Sequence, residues 1–248
     1  MRIIISPAKK MKHDSDTLEA VDKPVFLEKT KEILIWLKRQ TPGDLQKLWA
    51  CNDKIAQQNI QRLETMELDK NLTPAILSYE GIQYQYMAPA VFEEKMLNYV
   101  QKHLRILSGF YGSVKPMDGV VPYRLEMQAK ADIDGSGNLY AFWKDTLYRE
   151  VMDQDRVIIN LASKEYSQCV EKYLQKGDTF ITCIFAELVG NKPVQKGTYA
   201  KMARGEMVRF MAEKQLQDPE EIKAFDRLDY SFCKDLSEVN EFVFIRKK

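Results

Sequence analysis

Residues 107–127 read LSGFYGSVKPMDGVVPYRLEM and combine three glycines and two prolines with four charged side chains. So many turn-forming residues between apolar ones predict either a connection between two strands or a loop that holds an anion. We expect a winding connection followed by a strand over 120–127. Arg124 and Glu126 are two residues apart, so on a strand they would face the same side and pair with each other.

Outward from this stretch, the chain alternates apolar runs with segments of helical periodicity. Buried strands are expected where apolar residues are continuous, and helices where apolar residues recur every three to four positions between capping residues. The predicted strands are 2–5, 157–161, 179–188 and 242–245, and the predicted helices include 25–39, 53–62, 89–103, 139–152 and 198–215. We therefore predict one mixed α/β domain over 1–248, with a helical subdomain around 25–103.

Composition limits the classes of function. The 248 residues carry 37 basic and 36 acidic side chains, a net charge of +1, and 45% of residues are hydrophobic. A basic field over the whole protein is therefore absent. Any contact with nucleic acid requires positive side chains concentrated on one face, with acidic ones elsewhere.

The four cysteines form no CxxC pair, and there are only two histidines. This pattern predicts reduced thiols and no metal site. The apolar run near the N-terminus is too short for a signal peptide, and no run approaches the length of a membrane span. We expect a cytoplasmic protein without a membrane partner and without a cofactor.

A helix pair is predicted at 41–63. Thr41 and Pro42 form the start of its first helix, and Asp53 is expected to cap the second. Two helices joined by a tight turn can offer backbone N–H groups to a phosphate. The turn contains no glycine, which favours a purely structural role for the pair.

Three further clusters carry polar side chains at predicted element ends. Lys9 follows the first strand, where open α/β sheets place ligands. Asn160 and Ser163 end a buried strand, and Ser163 could equally be a helix cap. Lys201 and Arg204 lie on one flank of a helix, which suits phosphate contact or simple solvation. No nucleophile–base–orienter triad and no paired-carboxylate signature is present.

Six motifs occur together in an order that covers almost the whole chain. They are ISPAK at 5–9, AILSYEG at 75–81, HLRILSGFYG at 103–112, KPMDGVVPYRLEM at 115–127, NLASKEY at 160–166 and YAKMARGEMVRFM at 199–211. This set resembles the YaaA family of bacterial peroxide-stress proteins.

The resemblance implies a single mixed α/β domain with a fold of its own and a long, positively charged cleft. It also implies a link to limiting free intracellular iron during peroxide stress, and binding of duplex DNA without sequence preference. A helix-hairpin-helix element would fall at 41–62. The residues expected to line the cleft and bind DNA or another anion are Lys9, Arg105, Tyr111, Arg124, Asn160, Ser163, Lys201 and Arg204, with Glu126 holding an arginine in place.

Two other functions stay open at this level. The cleft could belong to an enzyme that acts on a nucleotide, a nucleobase or a DNA lesion, with Lys9 and Glu126 as candidate catalytic residues. Alternatively, the protein could act in iron handling through a protein partner, which predicts an exposed apolar patch. Catalysis requires a closed pocket that brings Lys9 and Glu126 to one position.

Overall fold

The computed structural model describes residues 1–14, 17–190 and 192–247. Twelve strands are present in these ranges: β1 (Arg2–Ile5), β2 (Lys10–Met11), β3 (Thr73–Pro74), β4 (Tyr79–Glu80), β5 (Leu104–Ser108), β6 (Gly112–Val114), β7 (Gly119–Val120), β8 (Val157–Leu161), β9 (Thr179–Val189), β10 (Lys192–Val194), β11 (Tyr230–Phe232) and β12 (Glu241–Arg246).

Ten α-helices lie between these strands in the same described ranges. They are α1 (Leu27–Lys38), α2 (Pro42–Trp49), α3 (Asp53–Glu64), α4 (Ala75–Ser78), α5 (Ile82–Met87), α6 (Glu94–His103), α7 (Leu139–Trp143), α8 (Thr146–Val151), α9 (Lys164–Glu171) and α10 (Gly197–Lys214). Short 3₁₀ turns occur at Pro89–Val91, Pro219–Ala224 and Lys234–Leu236.

A mixed sheet forms the centre of the domain. Its strand order within the described residues is β11-β12-β9-β8-β1-β5-β6, and β10 pairs with β9. The pairs from β12 across to β5 are all parallel, while β6, β10 and β11 add antiparallel edges. The prediction of a mixed α/β fold is confirmed.

The parallel part of the sheet changes direction beside β1. The chain goes from β1 to β5 on one side and then places β8, β9 and β12 in turn on the other. Counted along these five strands, the order is 2-1-3-4-5, as in open doubly wound sheets. Such sheets bind ligands outside the carboxyl ends of the strands at the reversal, which here lies between β1 and β8.

The long connection from β1 to β5 holds helices α1 to α6. Buried side chains such as Leu37, Trp49 and Leu63 belong to the same contiguous core as the strand residues. As predicted, Thr41 caps α2 by accepting a hydrogen bond from the Asp44 N–H. The predicted cap of α3 was off by one residue, because the Asn52 side chain accepts the hydrogen bond from the Ile55 N–H.

Two predicted elements differ in the structure. The strand expected at 120–127 is confined to β7, because Pro122 lacks a backbone donor and the Val121 N–H is bound by the Tyr111 hydroxyl. The helix expected at 139–152 is divided into α7 and α8, because Lys144 has a φ of 48° and breaks the helical hydrogen bonds. Local apolar periodicity continues across both breaks and therefore conceals them.

None of the helices in the described ranges combines the length and the apolar character needed to cross a bilayer.

Candidate functional site

Two serines join the carboxyl ends of β1 and β8. These strands pair in parallel as far as Ile5 and Leu161. Beyond them, the Ser163 N–H donates to Ser6 Oγ at 2.8 Å, and the two hydroxyls lie 3.2 Å apart. Ser163 directly precedes α9, so this link fixes the start of that helix against the loop after β1.

A cavity of about 410 Å³ opens at this position. It is lined by the loop after β1, the β4–α5 region, segment 123–126, the start of α9 and one side of α10. Its place at the carboxyl ends of β1 and β8 is where the strand order predicts a ligand.

Glu126 is held between two cations at one wall. The Lys9 ammonium lies 2.7 Å from Glu126 Oε2, and Arg124 Nη2 lies 3.2 Å from Oε1. Arg124 also donates to the Trp49 carbonyl oxygen at 3.4 Å. The Arg124 side chain is only 11% exposed whereas that of Lys9 is 65% exposed, so Arg124 is the fixed partner and Lys9 is free to reorient.

Gly109 explains how segment 123–126 keeps its position. A β-carbon at Gly109 would lie 2.7 Å from the Leu125 carbonyl oxygen and 3.0 Å from the Glu126 carbonyl carbon. The glycine thus permits a close approach between its own backbone and that of segment 123–126, and this approach fixes the position of Glu126 in the cavity wall.

Arg204 is the unusual cation of this site. It lies on α10, is half-buried and lines the cavity. Among the described residues, no carboxylate lies within ion-pair distance of its guanidinium, and Nε is buried without a hydrogen-bond partner. Burial lowers the pKa of Arg204, yet arginine stays protonated in proteins, so the charge remains without compensation.

Lys201 stands one helical turn before Arg204 and lines the same wall. Lys10 also reaches the cavity and pairs with Glu80 at 3.0 Å.

Glu165 is the third acidic side chain of the cavity, after Glu126 and Glu80, and it accepts a hydrogen bond from the Gln128 N–H. Burial raises the pKa of Glu165, and the nearby Glu126 charge raises it further. The lining thus carries five cationic and three acidic side chains, an excess of positive charge.

Tyrosines provide the apolar part of the wall, because their hydroxyls are already engaged. Tyr84 donates to the Ser6 carbonyl oxygen at 3.0 Å, which attaches α5 to the loop after β1. The Tyr123 hydroxyl lies 2.6 Å from Ser108 Oγ and 2.9 Å from the Tyr79 hydroxyl. Burial raises the pKa of Tyr123 to about 12, so the phenol is neutral at physiological pH.

The thiols are free in all four cysteines. Burial raises the pKa of both Cys169 and Cys183 to about 12, which keeps them as unreactive thiols. Across the described part of the chain, no group of three or more His, Cys, Asp or Glu side chains is arranged to hold a metal ion.

The sequence of this chain also matches known proteins over almost its whole length. The family model described as "Peroxide stress protein YaaA" matches residues 1–236. This chain belongs to the YaaA peroxide stress family. It is 61% identical to a UPF0246 protein of Agathobacter rectalis over 247 residues, covering 100% of this chain and 99% of that relative.

Two further UPF0246 proteins resemble this chain over nearly their whole length. A UPF0246 protein of Desulfitobacterium hafniense is 54% identical and covers 99% of this chain and 98% of its own length. One from Pediococcus pentosaceus is 52% identical and covers 100% of this chain and 99% of its own length. The family resemblance drawn from the six motifs is therefore confirmed over the full domain.

In this YaaA-family chain, six of the residues expected at the site meet in the cavity. They come from four separate parts of the sequence and are Lys9, Arg124, Glu126, Ser163, Lys201 and Arg204.

The other three expected residues lie outside the cavity, where each makes hydrogen bonds within the protein. Arg105 is buried, donates to the Leu104 carbonyl oxygen at 2.9 Å and approaches Glu150 at 3.5 Å. The Tyr111 hydroxyl accepts from the Val121 N–H at 3.1 Å. Asn160 accepts from the Ala162 N–H at 2.9 Å and donates to Thr182. These contacts shape the strands around the site.

Several residues that line the cavity were not among the predicted site residues, and they include Ser6, Gln83, Tyr84 and Glu165. Ser6 and Glu165 lie inside quoted motifs, so their motif membership was the available signal. Gln83 and Tyr84 follow the AILSYEG motif in a short helix, and nothing in their spacing distinguishes them from surface residues.

Proposed function

We propose that this protein is a cytoplasmic peroxide-stress protein that binds duplex DNA through the cationic cavity mouth, mainly by phosphate contacts and largely without base readout. The observation that carries the proposal is Arg204, a half-buried guanidinium at the cavity with no acidic partner among the described residues. A desolvated charge is costly without an opposite charge, and a phosphate supplies one.

The charge balance at the wall supports an anionic ligand. Glu126 and Glu80 each already pair with lysine or arginine, which leaves Lys201 and Arg204 for an incoming phosphate. Lys9 is a third cation that can bind the phosphate, because its exposed ammonium can exchange Glu126 for a phosphate oxygen at little cost.

A second depression extends this surface. It has a volume of about 620 Å³ and shares Glu126 with the cavity. Its other lining residues include Lys47, Ala50 and Lys130, so it reaches the turn between α2 and α3. An anionic strand longer than one nucleotide therefore has a path from α10 to the helix pair. A helix-hairpin-helix contact at that turn is part of the proposal.

The proposal also includes the link to iron. DNA bound in the cleft would be protected from iron-driven damage, and any effect on free intracellular iron would act through DNA or a protein partner. Electron paramagnetic resonance of chelatable iron in peroxide-treated cells tests this. Cells with Arg204→Gln in place of the wild-type protein should show raised free iron, and cells without the protein should show the same rise.

The direct test is fluorescence anisotropy with a short labelled duplex over a salt series. Arg204→Gln should weaken binding about tenfold or more and reduce the salt slope by about one. Lys9→Ala and Arg124→Ala should each weaken it less. The control is Arg209→Gln on the same helix, since Arg209 pairs with Glu213 at 2.8 Å outside the cavity. Equal affinities for the two glutamine variants would contradict the proposal.

A second function is favoured by one observation, the 2.7 Å contact between Lys9 and Glu126 at the cavity wall. An amine and a carboxylate so placed can serve as nucleophile and proton carrier for an enzyme acting on a nucleotide, a nucleobase or a DNA lesion. The test is incubation with duplexes carrying an abasic site or an oxidised base, followed by gel analysis. Product with the wild type and none with Glu126→Gln would establish catalysis.

A further inference from the structure

Gln83 is a buried amide that lines the cavity without a complete set of partners. Its side chain belongs to α5, and the residue is only 7% exposed. In the part of the chain that the structure describes, its Nε2 atom has no hydrogen-bond partner. A buried polar group left unsatisfied is costly, so such a group at a cavity wall points to a ligand.

Gln83 and Arg204 lie at the crossing of α5 and α10. The crossing is so close that a β-carbon on Gly205 would overlap the Gln83 carbonyl oxygen and lie 2.9 Å from the Met87 nitrogen. The crossing therefore brings the two helices together at the place where Gln83 and Arg204 both line the cavity.

The space in front of this pair has the character of a nucleotide site. Small-molecule sites are mainly apolar, have volumes of roughly 300–1,000 Å³ and contain a few polar groups that orient the ligand. The cavity has a volume of about 410 Å³ and is bordered by the rings of Tyr84 and Tyr123. A flat base suits such a wall, and stacking on aromatic rings is tolerant of base identity.

We propose that the cavity binds one nucleotide unit, with the base edge hydrogen-bonded to Gln83 and the phosphate held by Arg204 and Lys201. A glutamine amide presents a donor and an acceptor in one plane, which matches the paired groups on a base edge, adenine in particular. This inference rests on the proposed function in taking the unit to be an unpaired nucleotide of bound DNA. A free mononucleotide has the same chemistry and is the alternative source.

The first experiment compares a fully paired labelled duplex with the same duplex carrying one extra adenosine. The wild type should bind the bulged duplex about tenfold more tightly. Gln83→Leu should remove this preference and leave affinity for the paired duplex unchanged. The matched control is Gln85→Leu on the same helix, because Gln85 is exposed and outside the cavity. Loss of the preference in both variants, or its survival in Gln83→Leu, overturns the role of Gln83.

The second experiment titrates the protein with AMP, adenosine and inorganic phosphate by calorimetry, without DNA. AMP should bind more tightly than either fragment. Arg204→Gln should lower affinity for AMP at least fivefold and leave affinity for adenosine unchanged, because adenosine has no phosphate. Gln83→Leu should lower affinity for both AMP and adenosine, because both carry the base.

The two experiments separate failure of this inference from failure of DNA binding. AMP binding without duplex binding leaves the cavity site standing and identifies a free nucleotide as its ligand. Duplex binding with no bulge preference and no AMP binding overturns the inference and leaves the proposed function intact. Absence of all binding overturns both.

Discussion

Gly205 on α10 lies directly against the backbone of Gln83 on α5, with no room for a β-carbon between them. The contact sets the distance between the two helices and, with it, the relative positions of Gln83 and Arg204, which both line the cavity. Helices approach this closely only where one of them lacks a side chain.

Gly205→Ala should therefore force α5 and α10 apart. Overpacking of this kind costs about 1–3 kcal/mol of unfolding free energy, which urea denaturation can measure. Affinity for DNA should fall as well. Gly43→Ala is the control, because Gly43 lies in α2 with open space around its Cα, where alanine should stabilise the helix by up to about 1 kcal/mol. Equal stability of the two variants would show that the crossing can relax.

Glu126→Gln should strengthen DNA binding at low salt. The change removes one negative charge and releases Lys9 and Arg124 from their carboxylate partner. A steeper salt dependence, by up to about one unit if Lys9 gains a phosphate contact, should accompany the higher affinity. Weaker binding of this variant would mean that Glu126 is needed to orient Arg124. Anisotropy over a salt series distinguishes the two outcomes.

Asp118 should make stability depend on pH. It is 2% exposed, and burial raises its pKa to about 6 despite the Lys115 N–H bond and the nearby charges of Lys115 and Arg105. Asp22 nearby raises it further. Because this pKa lies above that of the unfolded chain, the folded state binds more protons between about pH 4 and pH 6.

The Asp118 contribution to stability is therefore greatest at low pH, is lost as pH rises through 6, and then levels off. Asp118→Asn should flatten this part of the unfolding free energy against pH, by on the order of 3 kcal/mol between pH 4 and pH 7. The measurement is chemical denaturation at several pH values, with the exposed Asp69→Asn as control. An unchanged pH profile for Asp118→Asn would refute the assignment.

Tyr123→Phe should destabilise the protein by about 1–3 kcal/mol, because it removes a hydroxyl bonded to both Ser108 and Tyr79 inside the core. The ring remains, so the cavity wall keeps its apolar surface and nucleotide affinity should change little. Tyr86→Phe is the control, since Tyr86 lies on α5, is half-buried and is not part of the cavity lining. Thermal unfolding together with AMP calorimetry tests both parts of this prediction.

Much of the secondary structure followed from the sequence, because short-range chemistry controls it. The apolar runs at 2–5 and 157–161 form β1 and β8, and Thr41 with Pro42 starts α2 as predicted. The strand prediction for 120–127 was wrong because Gly109, eleven residues before Val120, lies against this segment and Tyr111 takes the N–H that a neighbouring strand would need.

The site was predictable only in part. Lys9, Arg124, Glu126 and Arg204 stand out by charge beside turns, strand ends and helix flanks, and they meet in the cavity. Arg105 has the same kind of sequence signal but pairs with Glu150 in the core. Gln83 has no signal, since a single glutamine in a short helix becomes unusual only when a neighbouring helix excludes water from it.

The sequence by itself therefore determined most of the strands and helices, the family and most of the charged candidates, because periodicity, caps and motifs act over a few residues. Only the tertiary structure decided which of those candidates share a cavity. That depends on the order of the parallel strands, on the Ser6–Ser163 link and on the glycine crossing of α5 and α10. These contacts join residues as much as 157 positions apart, and no local pattern encodes them.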